Sequence, residues 1–233
     1  MSLPVPTDVA DPAGRTDRPW SAELWPLMEP IYAEILRHPF LTGLSDGTLA
    51  PDAFVRYLRQ DGYYLRDYAR ALAVLGAKAP TGADAAMLAR HSAATAEVEL
   101  AGHTELLADL GGTADVEVTP TTRAYTSYLL ATAYGGSFAE GLAAVLPCYW
   151  IYARVGAALA VAGSPKPAYR QWIDTYAGKE FGVLVEEILE LVDRVGPHLG
   201  SLEKERAHQH LLLTTRYEWM FWDAAYTDER WPQ

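Results

Sequence analysis

The chain is poor in cysteine and in positively charged residues. Among its 233 residues there is a single cysteine, Cys148, which excludes an internal disulfide and favours a reducing compartment. Its 19 lysines and arginines are outnumbered by 30 aspartates and glutamates, which gives a formal net charge of −11. Because a nucleic-acid backbone is bound through a basic surface, this balance argues against DNA or RNA as a partner.

The sequence also lacks signals for entry into a membrane. Residues 1–19 have neither the cationic start nor the apolar stretch of a signal peptide. No uninterrupted apolar run approaches the ~18 residues of a transmembrane helix. We therefore expect a cytoplasmic protein that does not bind membranes. The same residues 1–19 are rich in proline, aspartate and glycine, which predicts a disordered N-terminal segment.

Strand signals are scarce as well, whereas apolar residues recur at three- and four-residue spacing from Trp20 onward. This pattern predicts one all-α domain over residues 20–233, a bundle of about eight helices joined by short connections. The helices are expected at about 21–37, 51–77, 82–110, 120–134, 138–162, 167–176, 179–195 and 201–226. The best strand candidate, VEVTP at 116–120, is too short to change the fold class.

Cys148 lies in the stretch LPCYWIYARVG, where it is either a reactive thiol or inert packing. Pro147 either begins a new helix or kinks a continuous one. If a helix begins there, Cys148 occupies its first turn, where free N–H groups and the helix dipole favour a thiolate. Tyr152, four residues on, shares a face with Cys148. A free cysteine more often packs as a small hydrophobe, so this stretch alone leaves both interpretations open.

A carboxylate lies on an aromatic helix face in RQDGYYLRDYARAL. Asp61, Tyr64, Leu65 and Tyr68 follow helical spacing and so share that face. An aspartate among aromatic rings must be paired or hydrogen-bonded, or its pKa must rise. It is either part of a binding site or an aspartate satisfied by a tyrosine hydroxyl or an arginine.

A second carboxylate occurs in a similar setting in TTRYEWMFWDAAY, where Glu218 shares a face with Phe221 and Trp222. Apolar rings would raise the pKa of this glutamate toward neutrality, as a general acid requires. The alternative is a structural ion pair, for example with Arg216 or Arg56.

Two further tyrosines lie on apolar helices, Tyr125 in PTTRAYTSYLL and Tyr176 in WIDTYAGKEF. A single tyrosine on a helix face usually belongs to the core or its rim. Together with a thiol and two carboxylates, however, these hydroxyls could line a pocket in which a planar, polar heteroaromatic ring stacks.

These segments resemble the TenA/thiaminase II family, which has a haem-oxygenase-like helical fold. The similar segments are, in chain order, QDGYYL, PTTRAYTSYLL, LPCYWIY, WIDTYAGKEF and RYEWMFWDAAY, within about residues 20–227. The resemblance implies a hydrolase of thiamin salvage that cleaves the C–N bond at the 5-methylene of 4-amino-2-methylpyrimidines. The aminomethyl compound would yield the hydroxymethyl compound and ammonia, and thiamin itself is a second candidate substrate.

The resemblance assigns a role to each motif residue. Cys148 would add covalently to the pyrimidine, Glu218 would be the catalytic acid, and Asp61 would bind the aminopyrimidine. The remaining substrate-binding positions would be Tyr64, Tyr125, Tyr152, Tyr176 and Phe221. No metal or organic cofactor is expected, because the ring itself accepts electrons when a thiolate adds to it. The resemblance further implies a homotetramer.

The sequence departs from the family pattern at two places. Arg154 stands where the family often has an acidic residue, and its helical phase predicts that it points away from the Cys148 face. The stretch ELAGHTELLADLG at 99–111 is less aromatic than its usual counterpart, which bears on the range of substrates.

Three other functions compete with this one. A di-iron oxidase on the same fold would use Glu-x-x-His pairs, of which the chain has one, Glu205 with His208. Haem degradation would need a proximal histidine, for which His38 is the only candidate. A non-catalytic pyrimidine-binding or regulatory protein would need neither Cys148 nor Glu218.

Overall fold

A computed structural model describes residues 18–109 and 117–232, and this part of the chain contains nine α-helices and no β-strand. The helices are α1 (Trp20–Arg37), α2 (Pro39–Asp46), α3 (Pro51–Lys78), α4 (Gly82–Asp109), α5 (Pro120–Gly135), α6 (Phe138–Ala160), α7 (Pro167–Ala177), α8 (Lys179–Val195) and α9 (Ser201–Thr227). A 3₁₀ turn, Gly196–His198, follows α8. The predicted all-α class is confirmed, and each predicted helix ends within about two residues of its observed bounds.

Helix α2 was not predicted. Its cap is unusual, because the Nδ1 atom of His38 accepts a hydrogen bond from the Phe40 N–H at 3.1 Å. Histidine is not among the common N-cap residues, and eight residues are too few for helical periodicity to stand out. Gly47 ends the helix with φ +81°, a left-handed conformation that favours glycine.

Two other predictions concern residues that lie partly outside the described ranges. The disordered segment predicted for 1–19 lies, apart from its last two residues, outside the described residues. Residues 117–119 of the strand candidate form no regular secondary structure, and residue 120 already belongs to α5.

Helix α6 continues through Pro147, which resolves the alternative that the sequence left open. A capping box begins this helix, since the Glu140 N–H donates to the Ser137 hydroxyl and the Ser137 N–H donates to the Glu140 carboxylate. Cys148 therefore lies in the middle of a helix. The thiolate stabilisation that a helix N-terminus would supply is absent at this position.

Helix α6 is the centre of the fold and contacts α1, α3, α5, α7, α8 and α9. Among the described helices it alone is long and apolar enough to cross a membrane, but 72% of its most apolar window is buried. That burial is typical of a core helix, and it explains why α6 can be so apolar in composition.

Gly156 brings α6 against the end of α7. A Cβ atom at this position would lie 2.5 Å from the carbonyl carbon of Tyr176 and 2.7 Å from the amide nitrogen of Ala177. Only a residue without a side chain permits this approach. The contact sets the Tyr176 ring beside Tyr152 of α6, with ring centroids 4.8 Å apart.

We expect Gly156→Ala to lower the free energy of unfolding by about 1–3 kcal/mol, because the new methyl group would push the α7 backbone away from α6. Urea unfolding followed by circular dichroism measures this loss. Gly182→Ala in α8 is the matched control, since no atom beyond its chain neighbours and the backbone of its own helix lies within 4 Å of its Cβ position. That control should be neutral or stabilising. Equal stability of G156A and the unchanged protein would contradict the packing argument.

Candidate active site

A cavity of about 90 Å³ lies among helices α3, α4, α6, α7 and α8. Four of the predicted site residues line it, namely Asp61, Cys148, Tyr152 and Tyr176. Asp61 is only 2% exposed, whereas Cys148 is half-buried. The structure therefore brings the single thiol and one of the two predicted carboxylates to the same cavity.

The other predicted residues form a layer behind this cavity and do not line it. The Tyr125 hydroxyl donates a hydrogen bond of 2.6 Å to Glu218, whose side chain is 1% exposed. The Tyr64 ring connects the two layers, with its centroid 4.9 Å from that of Tyr125 and 5.6 Å from that of Phe221. The predicted set thus converges on one place in two layers of side chains.

A larger cavity of about 560 Å³ lies between α3, α9 and the C-terminal residues. Its two arginines are paired with a carboxylate of the same cavity, since Asp228 lies 3.6 Å from Arg56 and 2.7 Å from Arg230. It has no thiol among its lining residues. We therefore take the smaller cavity as the candidate active site.

Burial controls the protonation of Glu218. Loss of hydration and the negative charge of Asp61 together raise the pKa of Glu218 to about 8, although the hydrogen bond from Tyr125 opposes the rise. The ion-pair alternative is not realised, because Arg216 is exposed and Arg56 contacts Asp228 and the Ala225 carbonyl instead. At neutral pH Glu218 holds a proton that it can donate.

Burial also controls the thiol. Loss of hydration raises the pKa of Cys148 well above its ordinary value, and so do the charge that Glu218 carries above its own pKa and the negative charge of Asp61. The nearby hydroxyl groups of Tyr64 and Tyr68 oppose this rise in pKa without cancelling it. Cys148 is therefore a protonated thiol at neutral pH, and it needs a proton acceptor before it can act as a nucleophile.

Several residues of the site were missed from the sequence. Tyr68, His91, Tyr149 and Phe181 line the cavity, and the hydroxyl of Tyr57 donates to that of Tyr152 at 3.2 Å. Tyr68 could have been found, since it shares a helix face with Asp61. His91 had no such signal, because its partners come from α6 and α8.

Arg154 contacts aromatic rings away from the cavity, as its helical phase predicted. Its guanidinium lies 3.7 Å from the ring centroid of Trp25 in α1 and 5.8 Å from that of Trp150. The other departure, at residues 99–111, falls on side chains that almost all lie outside the described residues.

The histidines of the competing functions have structural partners. His38 caps α2 and lies 3.3 Å from Asp223 through its Nε2 atom. His208 accepts a hydrogen bond from the Trp20 indole, and Glu205 is exposed. In residues 18–109 and 117–232 no three histidine, cysteine or acidic side chains are grouped so that they could hold a metal ion.

Comparisons with known proteins agree with this geometry. The family model described as "TENA/THI-4/PQQC family" matches residues 25–228. The chain is 36% identical to an aminopyrimidine aminohydrolase of Halalkalibacterium halodurans, over 91% of this chain and 97% of the relative. It is also 36% identical to the thiamine biosynthesis multifunctional protein ThiED of Corynebacterium efficiens, over 97% of this chain but only 30% of that longer relative.

Solved structures show the same fold. A TenA homologue from P. horikoshii OT3 superposes with a TM-score of 0.83 at 31% identity, covering 90% of this chain and 99% of that one. A Shewanella denitrificans domain with a heme oxygenase-like fold superposes with a TM-score of 0.68 at 16% identity, covering 89% and 92%. The predicted haem-oxygenase-like architecture is confirmed.

The raised pKa of Glu218 predicts how stability depends on pH. The folded protein keeps this proton up to about pH 8, whereas an unfolded glutamate loses it near pH 4.5. The folded state thus binds more protons in this window, so stability must fall as pH rises through it. Relative to Glu218→Gln, the unchanged protein should lose roughly 3–5 kcal/mol of unfolding free energy between these two pH values.

Urea unfolding at half-unit pH steps measures this difference. Glu29→Gln, which alters an exposed glutamate, is the control and should follow the unchanged protein across the range. A difference between E218Q and the unchanged protein that stays constant with pH would show that Glu218 is ionised when folded.

Proposed function

Because this chain belongs to the TENA/THI-4/PQQC family, we propose that it is an aminopyrimidine aminohydrolase of thiamin salvage. It hydrolyses the C–N bond at the 5-methylene of 4-amino-2-methylpyrimidines, and the aminomethyl compound yields the hydroxymethyl compound and ammonia. The observation that carries the proposal is a glutamic acid, Glu218, with a pKa of about 8 beside a cavity that holds Cys148 and Asp61.

The reaction needs covalent help, because direct loss of the amine would leave a poorly stabilised cation. The thiol of Cys148 adds to the pyrimidine ring: its sulfur forms a bond to an electron-poor carbon, and its proton passes to a ring nitrogen. The ring electrons then expel the amine, which takes a proton from Glu218 as the C–N bond breaks. Water adds to the exposed methylene, and Glu218 recovers a proton from it. The S–C bond then breaks and the proton returns from the ring nitrogen to sulfur, which restores the aromatic ring and the thiol.

The other residues of the site orient the substrate. Asp61 accepts a hydrogen bond from the exocyclic amine and supports protonation of the adjacent ring nitrogen, which can then donate to it as well. Tyr152 and Tyr176 hold the ring within the cavity, and Phe221 with Tyr64 supplies aromatic surface beside it. The stacked tyrosines also keep water away from Glu218, which maintains its high pKa.

The acid distinguishes catalysis from binding. A non-catalytic pyrimidine-binding protein gains nothing from a buried glutamic acid held by Tyr125 at 2.6 Å, since burying it costs stability above its ordinary pKa.

We also propose that the protein acts in the cytoplasm as a homotetramer, without a metal or organic cofactor, and binds neither nucleic acid nor membranes. Its net charge of −11 supports the absence of a nucleic-acid partner.

Turnover of two substrates tests the activity. We expect the aminomethyl-pyrimidine to be hydrolysed with a kcat/KM at least tenfold higher than that of thiamin, because a cavity of about 90 Å³ favours one ring over two. Ammonia release and loss of thiamin are measured side by side at equal enzyme concentration. Faster cleavage of thiamin would reassign the leaving group, and turnover of neither compound would favour the non-catalytic binder.

Replacing the thiol tests the covalent step. Cys148→Ser should lower kcat for the aminomethyl-pyrimidine by more than a hundredfold, because a hydroxyl at this site is a far weaker nucleophile. Binding of the hydroxymethyl product, measured by calorimetry, should change less than threefold and so shows that the cavity is intact. Hydrolysis within tenfold of the unchanged protein would rule out covalent addition by Cys148.

A further inference from the structure

Helices α5 and α9 lie side by side and run in opposite directions. Three pairs of polar side chains join them, namely Thr121 with Glu229, Tyr125 with Glu218, and Tyr128 with His210. The α5 members follow the spacing of one helix face, and their partners descend from just beyond the end of α9 toward its beginning. The buried acid of the proposed reaction therefore belongs to the middle pair, with one polar pair on either side.

One outer pair is a carboxylate at the beginning of α5. The side chain of Glu229 accepts hydrogen bonds from the Thr121 N–H and from the Thr121 hydroxyl, each 2.9 Å long. Thr121 is the second residue of α5, so its N–H has no partner within the helix. The helix dipole also stabilises a negative charge at this end. Glu229 thus holds the first turn of α5 through both hydrogen bonds and charge.

The backbone fixes Glu229 to α9. Asp228 ends this helix with φ 57° and ψ 52°, a left-handed conformation that is uncommon for a residue with a side chain. Just beyond this turn the Glu229 N–H donates to the Ala224 carbonyl at 2.9 Å. One residue is therefore bonded through its backbone to α9 and through its side chain to α5.

The connection before α5 has its own hydrogen bonds. The Gln60 side chain of α3 donates to the Glu117 carbonyl at 2.9 Å and accepts from the Thr119 N–H at 3.0 Å. The Trp231 indole donates to the Val118 carbonyl at 2.8 Å. These bonds act on residues that precede the helix, whereas the carboxylate acts on the helix itself.

The anchored turn of α5 lies next to the tyrosine that contacts the acid. Thr121 and Tyr125 are four residues apart and so share the face of α5 that meets α9. The Tyr125 hydroxyl donates to Glu218 at 2.6 Å, and such a bond weakens when its atoms separate. The Tyr125 ring is stacked on that of Tyr217 from α9, with centroids 5.1 Å apart. A small displacement of this turn should weaken the bond to Glu218 while the stacked rings still exclude water.

We propose that Glu229 is a positioning residue of the candidate active site, which holds α5 at the distance from α9 that the bond between Tyr125 and Glu218 requires. The inference rests on the proposed function only in that Glu218 is there the catalytic acid. Glu229 does not line the cavity of Cys148 and acts through Thr121 and Tyr125. A residue beyond the last helix thus takes part in the geometry of the site.

The protonation of Glu218 reports on this geometry. The bond from Tyr125 lowers the pKa of Glu218, against the larger effect of burial. Weakening that bond while water stays excluded should therefore raise this pKa further. The other titratable groups near Glu218 are Asp61, Tyr64 and Tyr68 of α3, Cys148 and Tyr152 of α6, and Tyr176 of α7.

Carbon-13 NMR of the carboxyl groups in glutamate-labelled full-length protein measures the pKa of Glu218, and E218Q identifies its signal. In Glu229→Ala this pKa should be higher than in the unchanged protein by roughly half a pH unit or more. Thr121→Val loses the hydroxyl and should give a smaller rise, whereas Thr121→Ser keeps the hydroxyl and should give none. The alkaline limb of the kcat profile for the aminomethyl-pyrimidine should move with the pKa.

Asp193→Ala is the matched control. Asp193 of α8 holds the beginning of α1 in the same way, since it accepts from the Ser21 N–H at 2.7 Å and from the Ser21 hydroxyl at 2.9 Å, and it does not line the cavity. D193A and E229A should lower the melting temperature by similar amounts, because each removes a carboxylate from a helix N-terminus. Only E229A should change the pKa of Glu218.

A double variant tests whether Glu229 acts through Tyr125. Tyr125→Phe removes the bond to Glu218 and should itself raise the pKa of this acid. If that bond is the link, adding E229A to Y125F should change the pKa of Glu218 by less than about 0.2 pH unit, because the two changes then act on one interaction.

The outcomes separate the positioning role from the proposed function. An unchanged pKa of Glu218 in E229A, or an equal shift in D193A, would overturn the role of Glu229. A lowered pKa would also overturn it and would indicate that water enters the site, and so would an undiminished effect of E229A in Y125F. A raised pKa in a protein that hydrolyses no aminopyrimidine would support the role of Glu229 and refute the activity.

Discussion

The loss of water around two acidic groups governs the chemistry of this protein. In water Glu218 would be ionised at neutral pH, and burial reverses this by raising its pKa to about 8. The same burial holds Cys148 as a thiol. One cause thus provides the acid that the reaction needs and withholds the thiolate that it also needs. The thiol must therefore give up its proton in the course of the reaction before its sulfur can act as a nucleophile.

The helices explain why water is excluded there. Helix α6 continues through Pro147 and contacts six other helices, and every residue from Ala139 to Pro147 is buried. The close contact at Gly156 brings Tyr176 of α7 over Tyr152, and Tyr125 of α5 covers Glu218 of α9. Acidic groups surrounded by rings on several helices keep raised pKa values because no charged partner or bulk water is close enough to stabilise their ions.

Comparison of prediction and structure shows which kinds of signal are dependable. Helix α8 was predicted with its observed bounds because its apolar spacing is long and regular. Helix α2 was missed, since eight residues capped by His38 carry little periodicity. The motif residues Asp61, Cys148, Tyr152 and Tyr176 were expected together and line one cavity. Their roles stay predictions. The place of His91 in the site could not be predicted, because its partners lie in α6 and α8, far along the chain.

The sequence by itself determined the all-α class, the faces on which Asp61 and Glu218 lie, and the presence of one thiol, because these depend on spacing and composition alone. Only the tertiary structure decided that Cys148 is in the middle of a helix, that Glu218 lies behind the cavity wall, and that His91 of α4 lines the same cavity. Protonation depends on how many atoms of distant helices replace water around a group. That number is set by packing between segments and cannot be read from the segment that carries the group.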